Sequence, residues 1–368
     1  DLYEVGMSHL GSHILYDVIN RDEKIFCERV YAPAVDMENM MREKNIPLFA
    51  LESREPITNF DVIAFTLQYE LSYTNILNML DLANVPILRT ERKLDDPFIL
   101  VGGPCAYNVE PMADFVDIVV LGEGEEVNLE ILNAYKEWKK NKTTREDFLY
   151  QISSIEGVYI PSFYDVTYNE DNTVKEVVPN RENIPSKPHK RIIKDVENVP
   201  YPEKLIVPFI DTVHNRVVLE LFRGCTRGCR FCQAGMIYRP IREKSVERLK
   251  EIVDKLVKST GYDEISLSSL STSDYSKLSE LTDYLVDEYA SNNIGISLPS
   301  LRLDNFSMEI AEKIQQVRKS GLTFAPEAGT QRLRDVINKG VSEEDLQNAT
   351  KKAFEMGWNS VKLYFMIG

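Results

Sequence analysis

Arg223-Gly224-Cys225-Thr226-Arg227-Gly228-Cys229-Arg230-Phe231-Cys232 follows directly on an apolar run, Val217-Val-Leu-Glu-Leu-Phe222. The three cysteines have C-x3-C-x2-C spacing. Three thiolates so close in sequence can each take one iron of a 4Fe–4S cube, and no fourth thiolate lies nearby, which leaves the fourth iron open to a substrate or cosubstrate. A structural zinc site normally has four Cys or His ligands in paired spacing. Here the nearest histidine is His214, before the strand that leads into the loop.

This spacing, with the aromatic Phe231 just before the third cysteine, resembles the radical S-adenosylmethionine superfamily. The resemblance implies a 4Fe–4S cluster on Cys225, Cys229 and Cys232, S-adenosylmethionine on the open iron, and a 5′-deoxyadenosyl radical that takes a hydrogen atom. The cofactors would supply the difficult chemistry and the protein would position them. An electron donor such as flavodoxin or ferredoxin is implied as partner. The substrate, whether small molecule, RNA or protein, is left open. The competing reading is a noncatalytic iron–sulfur or zinc protein that uses its α/β domain as an interaction surface.

From 217 onward, strand and helix patterns alternate. Strands are expected at 217–222, 264–268, 295–298, 322–325 and 361–367. Helices are expected at 245–259 (with Ser245 as N-cap), 276–289, 307–320, 331–338 and 343–356. That is a partial (β/α)6 barrel, whose active site gathers at the strand carboxyl ends. The resemblance covers 217–368, about five of the six strands. Ser268 and Ser269 then stand where the family binds the methionyl amino group, although the usual glycine pair and glutamate are missing. Arg302, in Ser300-Leu-Arg302, offers a planar fork for the methionyl carboxylate. Glu327, in Pro326-Glu327-Ala-Gly329, offers a carboxylate for the ammonium or the ribose, and Phe231 would lie near the adenine. An ion pair between Arg302 and Glu327 is the structural alternative.

The first 145 residues also alternate helix and strand. Leu10, Ile14, Leu15, Val18 and Ile19 form a helical stripe over 10–20, and a second helix is expected at 73–83. Apolar runs at 62–65, 99–101 and 118–121 read as strands, the last two ending in Gly102-Gly103-Pro104 and Gly122-Glu-Gly124. The pattern predicts a doubly wound parallel sheet. Thr66-Leu-Gln68, Gly102-Gly103-Pro104-Cys105 and Gly122-Glu-Gly-Glu125 resemble the cobalamin-binding domain that precedes many radical S-adenosylmethionine barrels. Gly102 and Gly103 would let a corrin approach the backbone, which admits cobalamin as a further cofactor and methyl transfer as the reaction. The Asp-x-His-x-x-Gly signature of cobalt ligation is missing, because Met7 and Ser12 flank His9 at the wrong places. Cys27 and Cys105 read as structural, and His9 and His13 as caps or core.

Residues 146–216 change character. A hairpin is expected around Asn169-Glu-Asp-Asn172, followed by prolines at 179, 185, 188, 200, 202 and 208 that favour an extended connector. The expected organisation is a cobalamin-binding-like domain at 1–145, a hairpin and linker at 146–216, and the barrel at 217–368.

Composition excludes other classes. Hydrophobic residues make up 43% and charged residues 27%, ordinary for a globular protein. No apolar run reaches the ~20 residues that span a bilayer. A net charge of −15 argues against a broad nucleic-acid surface, and the basic clusters at 139–142 and 187–191 read as solvated faces. Five cysteines, few and odd in number, with no visible secretory leader, point to a reducing cytoplasm. The chain begins at Asp1 and ends on 361–368, which reads as a buried strand, so a fragment of a longer protein is expected.

Overall fold

The computed structural model describes residues 1–299, 302–304, 308–315, 317 and 321–367. The chain divides into two compact units, 1–193 and 194–368.

In the first unit, Val62–Thr66, Phe98–Gly102 and Ile118–Val120 pair in parallel, and Val158–Tyr159 closes the sheet as an antiparallel edge. The parallel α/β class is as expected. The strand order differs from a doubly wound sheet: it follows the chain, each connection stepping to the next position in the same direction. No reversal point, where such sheets open a ligand crevice, occurs among these four strands. The central strand Phe98–Gly102 has no polar side chain and is almost wholly buried, the composition of a strand covered on both faces. At its start, Phe98 meets Tyr135, Trp138 and Phe148 with ring centroids 4.8–6.0 Å apart. Tyr135 and Trp138 come from the helix Gly124–Asn141 and Phe148 from Arg145–Ile152. The stripe over Leu10–Asn20 forms the expected helix, with Ile14 and Val18 buried. The hairpin pairs Tyr164–Tyr168 with Val174–Pro179, and Phe163 and Tyr164 enter the same core.

The turn glycines are filled by the chain itself. Gly103 has φ +102°, and a Cβ there would stand 2.9 Å from the Leu67 carbonyl oxygen, because the Cys105 N–H donates to that oxygen at 3.0 Å. A Cβ on Gly122, φ +105°, would collide with the Arg191 carbonyl oxygen. Residue 191 pairs beside 122 as an isolated parallel bridge. At Gly102 a Cβ would make only ordinary contact with Val120, at 3.6 Å.

In the second unit, Glu264–Ser268 lies between Val217–Glu220 and Gly295–Ser297 in a parallel sheet, and Leu322–Glu327 pairs in parallel with Val361–Phe365. Among the described residues the barrel is not closed. The expected helices appear as Val246–Thr260, Leu278–Tyr289, Met308–Gln315, Gln331–Val336 and Glu343–Glu355; the rest of the helix expected to 320 falls largely outside the described residues. Ser245 caps the first of these by accepting from the Arg248 N–H at 3.0 Å. Among the described residues the last strand, Val361–Phe365, has one neighbour, and Tyr364 and Phe365 are exposed.

Glu220 ends the first barrel strand, level with Ser268 on its neighbour. Its carboxylate accepts from Lys244 Nζ at 2.6 Å and from Arg223 Nε at 3.0 Å. Burial alone would push this carboxyl up, but Lys244 and Arg223 hold it down to about 2. A depressed carboxylate stabilises the fold fully above its ordinary value of 4.5 and loses that contribution as pH falls toward 2.

Two outcomes follow from these contacts. Glu220→Gln is expected to cost about 3 kcal/mol at neutral pH, the scale of a broken buried pair. In denaturant titrations that deficit should shrink steadily once pH drops below the ordinary carboxylate value; a deficit independent of pH would show that the charge is not what stabilises. Gly103→Ala should lower stability by more than about 1 kcal/mol, as for any side chain forced to positive φ, and an unchanged unfolding midpoint would contradict the close Leu67 contact.

Candidate metal centre and cosubstrate site

The cysteine loop starts where the first barrel strand is most firmly held. Leu219 and Leu221 are fully buried, and the Leu221 N–H donates to the Ser268 carbonyl at 3.0 Å. The backbone then turns at Gly224, φ +92°, where a Cβ would collide with the Pro240 carbonyl oxygen. Only glycine passes here without strain. Arg239 Nε donates back to the Cys225 carbonyl at 3.1 Å.

Cys225, Cys229 and Cys232 are all free thiols at intermediate exposure. The Cys232 N–H donates to the Cys229 carbonyl at 3.1 Å, a turn that keeps the second and third cysteines close. Later barrel segments clamp the loop from outside. Arg230 N–H donates to the Ile337 carbonyl at 2.9 Å, and Asn338 Nδ2 to the Gly228 carbonyl at 2.8 Å. Among the described residues, no three His, Cys, Asp or Glu side chains converge tightly enough for a single metal ion. A cube places each thiolate on a different iron, so its ligands stand farther apart than those of one ion. Three free thiols on one glycine-turned loop at a barrel strand's carboxyl end are one ligand short of the usual structural zinc set.

The other residues singled out in the second unit lie at the expected strand ends, with different partners from those expected. The Ser268 carbonyl is taken by Leu221. The Ser269 hydroxyl contacts the buried Thr272 hydroxyl at 3.2 Å. Arg302 does not pair with Glu327. Its Nε donates to Asp304 at 2.9 Å, and its Nη2 donates to Asp304 at 3.2 Å and to the Lys339 carbonyl at 2.8 Å. Glu327 instead accepts from Lys339 Nζ at 3.0 Å. The same ammonium lies 5.9 Å from the Phe231 ring centroid, and Phe231 is 46% exposed. Ser300 and Leu301 lie outside the described residues. Gly102 and Gly103 belong to the first unit, as described above.

Glu327 has φ +65°, a conformation that non-glycine residues occupy only when the surroundings enforce it. Four contacts do so. Lys339 holds its carboxylate, the Met366 N–H donates to its carbonyl at 2.9 Å, the Ala328 N–H donates to the Pro326 carbonyl at 2.8 Å, and Arg334 Nη1 donates to the Ala328 carbonyl at 2.9 Å. Arg334 is only 2% exposed.

Several participants were not singled out from the sequence. Arg227, inside the first cysteine gap, donates from Nε to Asp274 at 2.8 Å and from Nη1 to Asp304 at 3.1 Å. Its hydrogen bond to Asp274 raises its pKa above the ordinary arginine value. Lys339 and Ser271 were also missed, and the buried Ser271 hydroxyl has no partner among the described residues. Arg227 had a visible signal in its place between two ligands. The others had none, since charged and hydroxyl residues after strands are common.

Two family models match the chain. That of the N-terminal domain of radical SAM proteins covers 11–161, and that of the radical SAM superfamily covers 219–368. An uncharacterised protein of Methanocaldococcus jannaschii is 32% identical across the whole chain, which spans 67% of that protein. A protein of the same organism provisionally assigned as a methylthiotransferase is 26% identical over 62% of this chain and 54% of its own length. An uncharacterised methyltransferase of Pyrococcus horikoshii is 24% identical over 74% and 54%. The chain thus spans about two thirds of the first relative and about half of the other two. Among solved structures, the cobalamin-dependent S-adenosylmethionine radical enzyme OxsB superposes with TM-score 0.57 at 14% identity, over 98% of this chain and 47% of that one. The radical S-adenosylmethionine methyltransferase TsrM from Kitasatospora setae, with cobalamin and a [4Fe-4S] cluster bound, gives TM-score 0.60 at 12% identity, over 96% and 65%. With the three thiols at the end of the first barrel strand, these matches establish that the chain belongs to the radical S-adenosylmethionine superfamily of enzymes, in which a 4Fe–4S cluster and S-adenosylmethionine are the cofactors.

Proposed function

We propose that Cys225, Cys229 and Cys232 hold the cluster and that the chain catalyses activation of a substrate C–H bond. The observation that carries this reading is the set of three free thiols on one clamped loop. When bound, the cluster and S-adenosylmethionine supply reductive cleavage of the sulfonium and a 5′-deoxyadenosyl radical that takes a hydrogen atom. The protein's part is positioning. Arg302 supplies a guanidinium for the methionyl carboxylate, which would displace Asp304 from its Nε and Nη2 edge, a planar pairing lysine lacks. Glu327 keeps a carboxylate at the end of the fourth barrel strand for the methionyl ammonium or the ribose hydroxyls. Ser268 and Ser269 offer hydroxyls for the amino group, and Phe231 a ring face for the adenine. The electron donor is a flavodoxin or ferredoxin in a reducing cytoplasm. No helix among the described residues is long and apolar enough to cross a membrane.

Replacing Cys225, Cys229 or Cys232 by Ala should abolish cluster uptake in anaerobic reconstitution, measured as iron and sulfide per chain. Cys27→Ala and Cys105→Ala should leave it intact. S-adenosylmethionine should perturb the electron paramagnetic resonance of the reduced cluster. An unperturbed signal with no 5′-deoxyadenosine formed under reductant would overturn the reading.

Cobalamin-dependent methyl transfer is a second reading, favoured by the cobalamin-dependent enzymes whose fold this chain shares. Of the glycines singled out for a corrin, Gly103 and Gly122 are packed on Leu67 and Arg191, while Gly102 makes only ordinary contact with Val120. His9 is also engaged, its Nδ1 contacting the Ser12 hydroxyl at 2.8 Å, and His13 Nε2 meets the Met7 carbonyl at 2.7 Å. Hydroxocobalamin titrated into the reconstituted protein tests this reading directly. If it binds, alanine at His9 or His13 should leave its absorbance spectrum unchanged; failure to bind removes methyl transfer by this route.

A further inference from the structure

The cysteine loop and the Arg302 fork are joined by one chain of charges. Arg227 lies between Cys225 and Cys229. Its guanidinium bridges Asp274, in the turn Thr272–Asp274 after the second barrel strand, and Asp304, after the third. Asp304 in turn meets Arg302 through both carboxylate oxygens. The order is Asp274–Arg227–Asp304–Arg302. The side chains of Arg302, Asp274 and Asp304 are 11–16% exposed and that of Arg227 is 32% exposed, so these charges interact more strongly than surface pairs.

Such an arrangement places two cations on one carboxylate. A guanidinium saturated by Asp304 has less to offer an incoming carboxylate. Arg227 supplies the competing attraction that draws Asp304 toward the cysteine loop. We propose that Arg227 is a positioning residue: its Nη1 shares Asp304 Oδ2 with Arg302 Nη2, which weakens the hold of Asp304 on the Arg302 fork that the methionyl carboxylate must displace, and ties occupancy of that fork to the loop that carries the cluster ligands. This rests on Arg302 being the carboxylate fork, the reading given above. Without Arg227, the bidentate Asp304–Arg302 pair tightens and Asp304 competes more strongly with the ligand. The effect is then confined to ligands that carry the carboxylate.

That selectivity separates positioning from general support of the loop. In the anaerobically reconstituted protein, dissociation constants would be measured by calorimetry for S-adenosylmethionine and for decarboxylated S-adenosylmethionine, which keeps the adenosyl sulfonium and the amine. Arg227→Gln should retain its iron, weaken S-adenosylmethionine about tenfold and leave the decarboxylated analogue within about twofold. Adding Asp304→Asn to Arg227→Gln removes the competitor and should restore the preference for the carboxylate. If Arg227→Gln loses iron, Arg227→Lys carries the same comparison, since an ammonium keeps the charge but not the two-carboxylate fork. Equal affinity of Arg227→Gln and the unaltered protein for S-adenosylmethionine overturns the proposal. So does a parallel loss for both ligands, which marks a structural pin. An unaltered protein that binds S-adenosylmethionine no better than its decarboxylated form overturns the Arg302 reading first and this one with it.

Discussion

A single carboxylate holds the functional end of the second unit together. Glu220 terminates the first barrel strand and stands between Lys244 and Arg223, the latter two residues before Cys225. Lys244 also donates to the Glu220 carbonyl at 3.2 Å, and its own carbonyl accepts from the Tyr275 hydroxyl at 2.8 Å. Tyr275 stacks on Phe222 with ring centroids 6.4 Å apart. A buried ion pair is a weak source of net stability, because desolvation offsets much of the attraction. Its value here is geometric. Three segments that are distant in sequence meet at one point, and the cysteine loop leaves from it in one direction. A hydrophobic triad of equal volume would pack as well but would not orient the backbone at Arg223.

Farther along the chain, strain replaces charge as the organising device. Glu327 stays at positive φ because four contacts over-determine it, and each comes from a different residue. The buried Arg334 is the least replaceable of them. Its Nη1 holds the Ala328 carbonyl, its Nη2 donates to Gln331, and its Nε has no partner among the described residues. A buried polar atom left unsatisfied costs about 1–3 kcal/mol. That cost is tolerated at a turn which carries a carboxylate toward the strand-end face of the barrel, as strained residues commonly are at functional sites. The segment from 326 to 340 therefore combines a held carboxylate at Glu327, a held cation at Lys339, and the two backbone carbonyls that receive Arg230 and Arg302.

The sequence was most legible where periodicity and spacing act locally. The helix Leu10–Asn20, the strand Glu264–Ser268 and the Ser245 cap could be read directly, because each follows from a repeat or a cap within a few residues. The cysteine spacing was equally local. Pairing partners were not legible. The ion pair between Arg302 and Glu327, the structural alternative to ligand binding, does not form: Arg302 meets Asp304 two residues away and Glu327 meets Lys339. Side-chain partners depend on where loops land, and loop placement is set by tertiary packing that no window of sequence contains.

The glycine turns of the first unit show the same ambiguity between ligand and self-packing. A glycine after a parallel strand permits close approach, but the approaching group is not specified. At Gly122 it is the backbone of residue 191. The Arg191 N–H donates to the Leu121 carbonyl at 2.8 Å, its carbonyl accepts from the Glu123 N–H at 3.1 Å, and its guanidinium meets Glu126 and Glu130. A ligand seated on that turn would have to replace two backbone hydrogen bonds, each worth about 1 kcal/mol, and two partly exposed ion pairs of smaller value. At Gly103 it would have to replace the Leu67 contact as well. The sheet can thus keep the fold of a cofactor-binding domain while its turn glycines serve the chain's own closure, and a glycine motif becomes informative about a ligand only after the groups facing it are known.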